Sequence, residues 1–116
     1  MKLTVVVTVL NEKETILKAI ELVKNLNIEK QIIVIDNCST DGTREILRGL
    51  RDNSIEIVYQ SKNYGYGMSV TTGINMAKGD YVYIHNTDLE YDPAYSIPML
   101  ELAEKEGLDE IGRAHV

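Results

Sequence analysis

Acidic residues alternate in the stretch IHNTDLEYDP (residues 84–93), which directly follows a short apolar run. Asp88, Glu90 and Asp92 stand at every second position, and Asn86 comes just before them. Carboxylates held this close in one loop repel each other unless a positive charge lies between them. The spacing therefore suggests a bound metal ion at this turn.

Polar residues that suit ligand binding also follow the other three apolar runs of the sequence. They are Asn11 and Glu12 after the first run, Asp36 and Asn37 at the end of the second, and Asn63 after the third. In a parallel sheet the carboxyl ends of the strands lie at one edge, where ligands bind. We therefore expect these residues to lie near the acidic turn.

Four apolar segments separated by amphipathic ones must position these residues. The predicted strands span residues 3–10, 31–36, 55–59 and 81–85. Three predicted helices separate them: one over about 12–25, one capped by Ser39, Thr40 or Asp41, and one with Val70, Ile74 and Ala77 on one face. The order β-α-β-α-β-α-β predicts an α/β fold, a mainly parallel sheet with flanking helices.

Composition excludes several classes of protein. A chain of 116 residues with 44% hydrophobic residues predicts one globular domain. The net charge of -6 and the lack of a basic stripe argue against a nucleic-acid partner. The single cysteine, Cys38, excludes an internal disulfide and a cysteine zinc site and favours a cytoplasmic location. The apolar run near the amino terminus is too short to span a membrane.

Four segments, in order and at matching spacing, resemble the nucleotide-binding half of family 2 glycosyltransferases with the GT-A fold, which is Rossmann-like. They are TVLNE (8–12), VIDNCSTDGT (34–43), NYGYGMSVTTGINMAKGDY (63–81) and NTDLEYDP (86–93). Within the family they look most like the dolichol-phosphate and polyprenyl-phosphate sugar synthases. The resemblance implies inverting transfer of a hexose from a UDP- or GDP-linked donor to a lipid phosphate or a polysaccharide.

The resemblance also implies roles for particular residues. Glu12 is expected near the ribose or base and Asp36 on a base N–H, so that replacing Asp36 would weaken nucleotide binding with little loss of fold. Asp88 corresponds to the second acid of the family's metal-binding Asp-x-Asp, and Glu90 to a nearby ligand position. The implied nucleotide-binding residues are Thr8, Leu10, Asn11, Glu12, Asp36, Asn37, Asn63, Gly67, Asn86, Thr87 and Asp88.

A divalent cation is part of the same expectation. A donor diphosphate would be repelled by a protein of net charge -6, so a cation must lie between phosphate and carboxylate. Oxygen ligands favour Mg²⁺ or Mn²⁺. The family's first metal-site acid is here Asn86, its second strand-two acid is Asn37, and its usual proline is Thr8. The loss of one acid at Asn86 predicts weaker metal binding.

Residues 1–110 are expected to form the nucleotide-sugar-binding region without the acceptor half. The last six residues, IGRAHV (111–116), match a translated sequencing adapter and are expected to be a non-native tail. The resemblance places the full-length protein in the cytoplasm, with the cytoplasmic face of a membrane as a further possibility. Two alternatives stay open: a non-catalytic sugar-nucleotide-binding fragment, and a nicotinamide-binding Rossmann protein, which would need no metal.

Overall fold

Strands and helices alternate along residues 3–87, the part of the chain that the computed structural model describes. The strands are β1 (Leu3–Val9), β2 (Lys30–Asp36), β3 (Ile55–Tyr59) and β4 (Tyr81–Asn86), and the helices are α1 (Ile16–Lys24), α2 (Thr43–Arg48) and α3 (Tyr66–Met76). The sheet has the order β3-β2-β1-β4, and every neighbouring pair is parallel. The predicted α/β fold with a parallel sheet is confirmed.

The central strand β1 is buried on both of its faces. All seven of its residues are buried, as expected for an unbroken β-branched run in a parallel sheet. Val5 and Val7 join the core that includes Ile16 and Ile20 of α1. Val6 faces the other way and packs in a second core with Val70 of α3. Helices therefore cover both faces of the sheet.

The order in which strands are added to the sheet reverses at β1. The segments β2 and β3 are added on one side of β1, and α3 then carries the chain across to place β4 on the other side. Thr8 of β1 lies opposite Ile35 of β2 and Asn86 of β4. The carboxyl ends of β1 and β4 form such a switch point, the place where α/β sheets leave a crevice for a ligand.

Helix α3 packs on the sheet through a different face from the one predicted. Ser69, Val70 and Gly73 are its buried residues, whereas Ile74 is 39% exposed. The helix ends at Met76, and Ala77 has extended backbone. Gly73 brings the helix close to β1, because small residues permit an approach that a larger side chain would block. The predicted face that combined Val70 with Ile74 and Ala77 was therefore wrong.

Within residues 3–87, no helix has the length and apolar character needed to cross a membrane.

Candidate functional site

A cleft of about 410 Å³ opens at the switch point. Its walls come from the ends of β1 and β4, the loops after them, the loop after β2, and the segment that leads into α3. The lining residues are Thr8, Val9, Leu10, Glu12, Asn37, Asn63, Gly65, Tyr66, Ser69, Asn86 and Thr87. Seven of the eleven predicted nucleotide-binding residues are among them. Asn11, Asp36 and Gly67 are not, and Asp88 and the second predicted metal ligand, Glu90, lie outside the described residues.

Asp36 lies beneath the cleft and not in its wall. The residue is 0% exposed, and Arg44 Nε donates to its Oδ2 at 2.6 Å. Its Oδ1 accepts from Ser39 Oγ at 2.5 Å. The carboxylate of Asp36 therefore bonds within the protein, and its contact with a base N–H stays a prediction.

Asn11 joins two loops and does not line the cleft. Its backbone N–H donates to Ser39 Oγ at 2.8 Å, and its side-chain Oδ1 accepts from the backbone N–H of Thr40 at 2.7 Å. Its φ of 55° lies in the left-handed region, which asparagine tolerates better than most residues. The loop after β1 is thereby tied to the loop after β2.

Asp41 and Thr43 extend this connection between the two loops. Thr43 Oγ1 accepts from the backbone N–H of Glu12 at 3.0 Å, and Asp41 Oδ2 accepts from that of Lys13 at 3.2 Å. Thr43 Oγ1 also donates to Asp41 Oδ1 at 2.5 Å, and this hydrogen bond is the main reason that the pKa of Asp41 is lowered. The pair therefore holds Glu12 at the cleft.

The prediction that Ser39, Thr40 or Asp41 is the N-cap residue of α2 was wrong. The N-cap residue is Gly42, with φ 109°, which has no side chain to cap the helix, and Asp41 Oδ1, one position earlier, accepts from the backbone N–H of Thr43 at 3.0 Å. Ser39 and Asp41 instead bind the loop after β1, and Thr40 contributes its backbone N–H to Asn11. Side chains of types that often cap helices here accept hydrogen bonds from backbone N–H groups of a distant loop. The local sequence does not show which of these two uses a side chain will take.

Replacing Thr43 with valine is expected to lower the free energy of unfolding by about 1–3 kcal/mol, because it leaves the part-buried backbone N–H of Glu12 without its acceptor and removes the hydroxyl that donates to Asp41. Thr43 is 0% exposed. Chemical denaturation would measure the change. The matched control is Thr40→Val, since Thr40 is exposed and bonds to Asn11 through its backbone. Equal stability of the Thr43→Val protein and the parent would show that the two loops do not depend on this hydroxyl.

Two asparagines form the wall between β2 and α3. Asn37 Nδ2 donates to Asn63 Oδ1 at 2.8 Å, and Asn37 Oδ1 accepts from the backbone N–H of Tyr64 at 3.0 Å. Asn63 Oδ1 also accepts from the backbone N–H of Gly65 at 2.9 Å. A carboxylate at position 37 could not donate to Asn63, so the amide at this position has a structural role in place of the acid that the resemblance led us to expect.

Three residues at the start of α3 line the cleft but were not predicted from the sequence. Ser69 is buried and donates from Oγ to Gln60 Oε1 at 3.0 Å. Gly65, with φ 91°, is the N-cap residue, and Tyr66 begins the helix. The glycine-rich segment NYGYG was the available signal and indicated the right loop, although Gly65 and not Gly67 lines the cleft.

Thr8 presents an unsatisfied hydroxyl at the cleft. Its backbone carbonyl accepts from the N–H of Thr87 at 3.3 Å and from Thr87 Oγ1 at 3.0 Å. Its own Oγ1 is buried and has no hydrogen-bond partner within the described residues. Buried hydroxyls are normally paired, so a polar group of a ligand in the cleft would satisfy this one.

The electrostatics of the cleft are acidic in the described part. Glu12 supplies the single charged side chain among the described lining residues, and its Oε2 accepts from Thr15 Oγ1 at 3.1 Å. Residues 3–87 contain no cluster of three His, Cys, Asp or Glu that would hold a metal by itself. The oxygen donors present, from Glu12 and from the asparagine amides, fit a hard cation in kind, and further carboxylates would be needed to complete a site.

Residues 4–112 match the sequence model of Glycosyl transferase family 2. The chain belongs to this family. The match confirms the predicted family and sets aside the nicotinamide-binding alternative.

Named relatives agree with this assignment, and a solved structure supports the fold. The chain is 31% identical to the undecaprenyl-phosphate 4-deoxy-4-formamido-L-arabinose transferase of Proteus mirabilis, over 96% of this chain and 36% of the relative. It is 28% identical to the succinoglycan biosynthesis protein ExoO of Rhizobium meliloti, over 90% of this chain and 30% of the relative. The chain thus spans about a third of these relatives. The crystal structure of S. aureus TarS 1–349 superposes with a TM-score of 0.75 at 20% identity, over 92% of this chain and 33% of that 1–349 chain, and supports the fold.

Proposed function

We propose that the protein is a glycosyltransferase that takes a hexose from a UDP- or GDP-linked donor and passes it, with inversion, to a lipid phosphate or a polysaccharide. Family membership supports sugar transfer. The names of the relatives support the acceptor classes, since one acts on undecaprenyl phosphate and another belongs to succinoglycan biosynthesis. A lipid-phosphate acceptor would place the reaction at the cytoplasmic face of a membrane.

The cleft at the switch point is the observation that carries this proposal. Hydroxyl and amide groups suit the polar edges of a nucleoside, and the unsatisfied Oγ1 of Thr8 is available to a base or ribose. The carboxylate of Glu12 can accept hydrogen bonds from ribose hydroxyls or a base N–H. Asn37 and Asn63 shape the opposite wall, so the nucleoside half of a donor would lie between β1 and α3.

A divalent cation, Mg²⁺ or Mn²⁺, is part of the proposal. The described lining contains no lysine or arginine to neutralise a diphosphate, and Glu12 would repel one. Asp88 and Glu90 would supply the carboxylates that hold the ion, and Asn86, which lines the cleft, can offer a carbonyl oxygen. When bound, the ion would stabilise the negative charge that develops on the departing nucleoside diphosphate.

An assay of donor turnover tests the proposed activity. A purified full-length protein that carries this region together with an acceptor-binding half would be incubated with a UDP- or GDP-linked hexose, Mn²⁺ and a polyprenyl phosphate, and the released nucleoside diphosphate would be measured. We expect release that requires both the acceptor and the cation. Absence of release with each donor base and acceptor class, in a protein that is folded, would contradict the proposal.

Binding without transfer is the second candidate function. The presence of Asn86 in place of an acid at the end of β4 favours it, because fewer carboxylates weaken affinity for hard cations. The two candidates differ in one result: a non-catalytic protein would bind the nucleotide in calorimetry but release none from a sugar-linked donor.

A further inference from the structure

Behind the cleft wall, four residues form a connected group that we call the Arg44 cluster: Asp36, Arg44, Tyr59 and Gln60. Asp36 is completely buried, and a buried charge is costly unless it is paired and hydrogen-bonded. Arg44 supplies the pairing, with Nε 2.6 Å from Asp36 Oδ2. The side chain of Arg44 is only 16% exposed, so the ion pair is largely shielded from water.

Arg44 also reaches the end of the neighbouring strand. Its Nη2 donates to the backbone carbonyl of Gln60 at 2.5 Å, and its guanidinium lies over the Tyr59 ring, 5.4 Å from the ring centroid. One rigid, planar group thus bridges the end of β2 to the end of β3. Lysine could not reproduce this bridge, because its ammonium is a compact point charge without the planar fork.

Each strand end held by Arg44 leads directly to a wall of the cleft. Asn37, which lines the cleft, follows Asp36 in the chain, and Asn63 comes three residues after Gln60. The side chain of Gln60 accepts a hydrogen bond from Ser69, another lining residue. Arg44 itself is not among the described lining residues, so within residues 3–87 it acts on the cleft through these neighbours.

We propose that Arg44 is a positioning residue of the donor site: it fixes the ends of β2 and β3 so that Asn37 and Asn63 stand at hydrogen-bonding distance and form one wall of the cleft. This inference rests on the proposed function, because the site that it positions is the proposed nucleotide site. Arg44 would then control nucleotide affinity without contact with the nucleotide.

Calorimetric titration with UDP and with GDP, each with Mn²⁺, tests the inference in the parent, Arg44→Gln, Arg44→Lys and Arg48→Gln. Arg48 is the matched control, since it also lies over Tyr59, at 5.2 Å, but is exposed and outside the Asp36 ion pair. If the wall formed by Asn37 and Asn63 keeps its arrangement a tenth of the time in Arg44→Gln, the nucleotide Kd of that variant rises about 10-fold. We expect that rise for Arg44→Gln, a similar one for Arg44→Lys, and parent affinity for Arg48→Gln.

Two further readouts separate positioning from stability. Arg44→Lys keeps the charge opposite Asp36, so its melting temperature should recover towards the parent value while its Kd does not. In the nucleotide-free protein, the NMR signals of the Asn37 and Asn63 side-chain amides should shift in both Arg44 variants and not in Arg48→Gln. If Arg44→Gln does not fold, Arg44→Lys decides alone.

An unchanged Kd in a folded Arg44 variant, titrated well below its melting temperature, would overturn the inference and leave the proposed function intact. An equal loss of affinity in Arg48→Gln would also overturn it, because the effect would then come from Tyr59 or from general charge. A parent protein that binds neither nucleotide would overturn the proposed function, and the inference with it.

Discussion

Replacing Asp36 with alanine is expected to lower the free energy of unfolding by about 3–5 kcal/mol, the range for breaking a buried ion pair by removing one partner. The substitution leaves Arg44 at a largely buried position without its carboxylate and removes the acceptor for Ser39. Urea denaturation, followed by circular dichroism, measures the loss. This expectation differs from the one drawn from the sequence, in which nucleotide affinity falls with little loss of fold.

Two further variants serve as comparisons for Asp36→Ala. Asp36→Asn keeps an acceptor oxygen for Ser39 and loses the charge, so its stability should lie between those of the alanine variant and the parent. Asp80→Ala removes an exposed carboxylate and should change stability by no more than about 0.5 kcal/mol. An alanine variant at position 36 that matches the Asp80→Ala protein in stability would refute the structural role of the carboxylate.

Replacing Gly73 with alanine is expected to destabilise the protein by about 1–3 kcal/mol or more, as overpacking of a filled core does. A Cβ on Gly73 would lie 2.3 Å from Val6 Cγ1 and 2.9 Å from Val6 Cγ2. Val6 is completely buried in β1, so it has no open space into which to move. Helix α3 would have to shift away from the sheet, and thermal denaturation would record the loss.

The matched control for Gly73→Ala is Gly67→Ala in the same helix. A Cβ on Gly67 meets nothing within 4 Å, and alanine is favoured over glycine in helices by up to about 1 kcal/mol. This control should be neutral or more stable than the parent. Adding Val6→Ala to Gly73→Ala should recover part of the loss, because neighbouring substitutions couple. Equal effects of alanine at positions 67 and 73 would contradict the close packing of α3 on β1.

The strands could be predicted because their sequences allow few alternatives. Short β-branched runs such as residues 3–9 and 31–36, bounded by polar turns, indicate buried parallel strands. The four observed strands differ from the predicted ones by at most one residue at an end. The face of α3 could not be predicted, because burial there depends on where Gly73 meets Val6, which is a long-range contact that hydrophobic periodicity does not contain.

The candidate site was predicted in its location and only partly in its detail. The position of Glu12, Asn37 and Asn63 after their strands correctly predicted that they lie at one cleft. The same signal did not distinguish a residue that faces the cleft from one that faces the protein, as with Asp36, because that distinction depends on Arg44, eight residues later in the chain. Residues that line the cleft through helix packing, such as Ser69, carried no local signal at all.

The central claim is that this cleft binds a nucleoside diphosphate together with a divalent cation. Thermal denaturation of the protein with Mn²⁺ and with UDP or GDP, each alone and both together, tests it most directly. Mass action predicts a stabilisation of about 2.7 kcal/mol at a hundredfold excess of ligand over its dissociation constant. We expect a clear rise in melting temperature when cation and nucleotide are present together.

Two substitutions make this measurement specific for the proposed metal ligands. Asp88→Asn should abolish the rise that depends on Mn²⁺, and Asn86→Asp should enlarge it, because carboxylate count tunes affinity for hard cations. Asn86 lines the cleft, so the added carboxylate would stand at the site itself. Melting curves that do not respond to Mn²⁺ and nucleotide, in the parent and in Asn86→Asp alike, would contradict the claim.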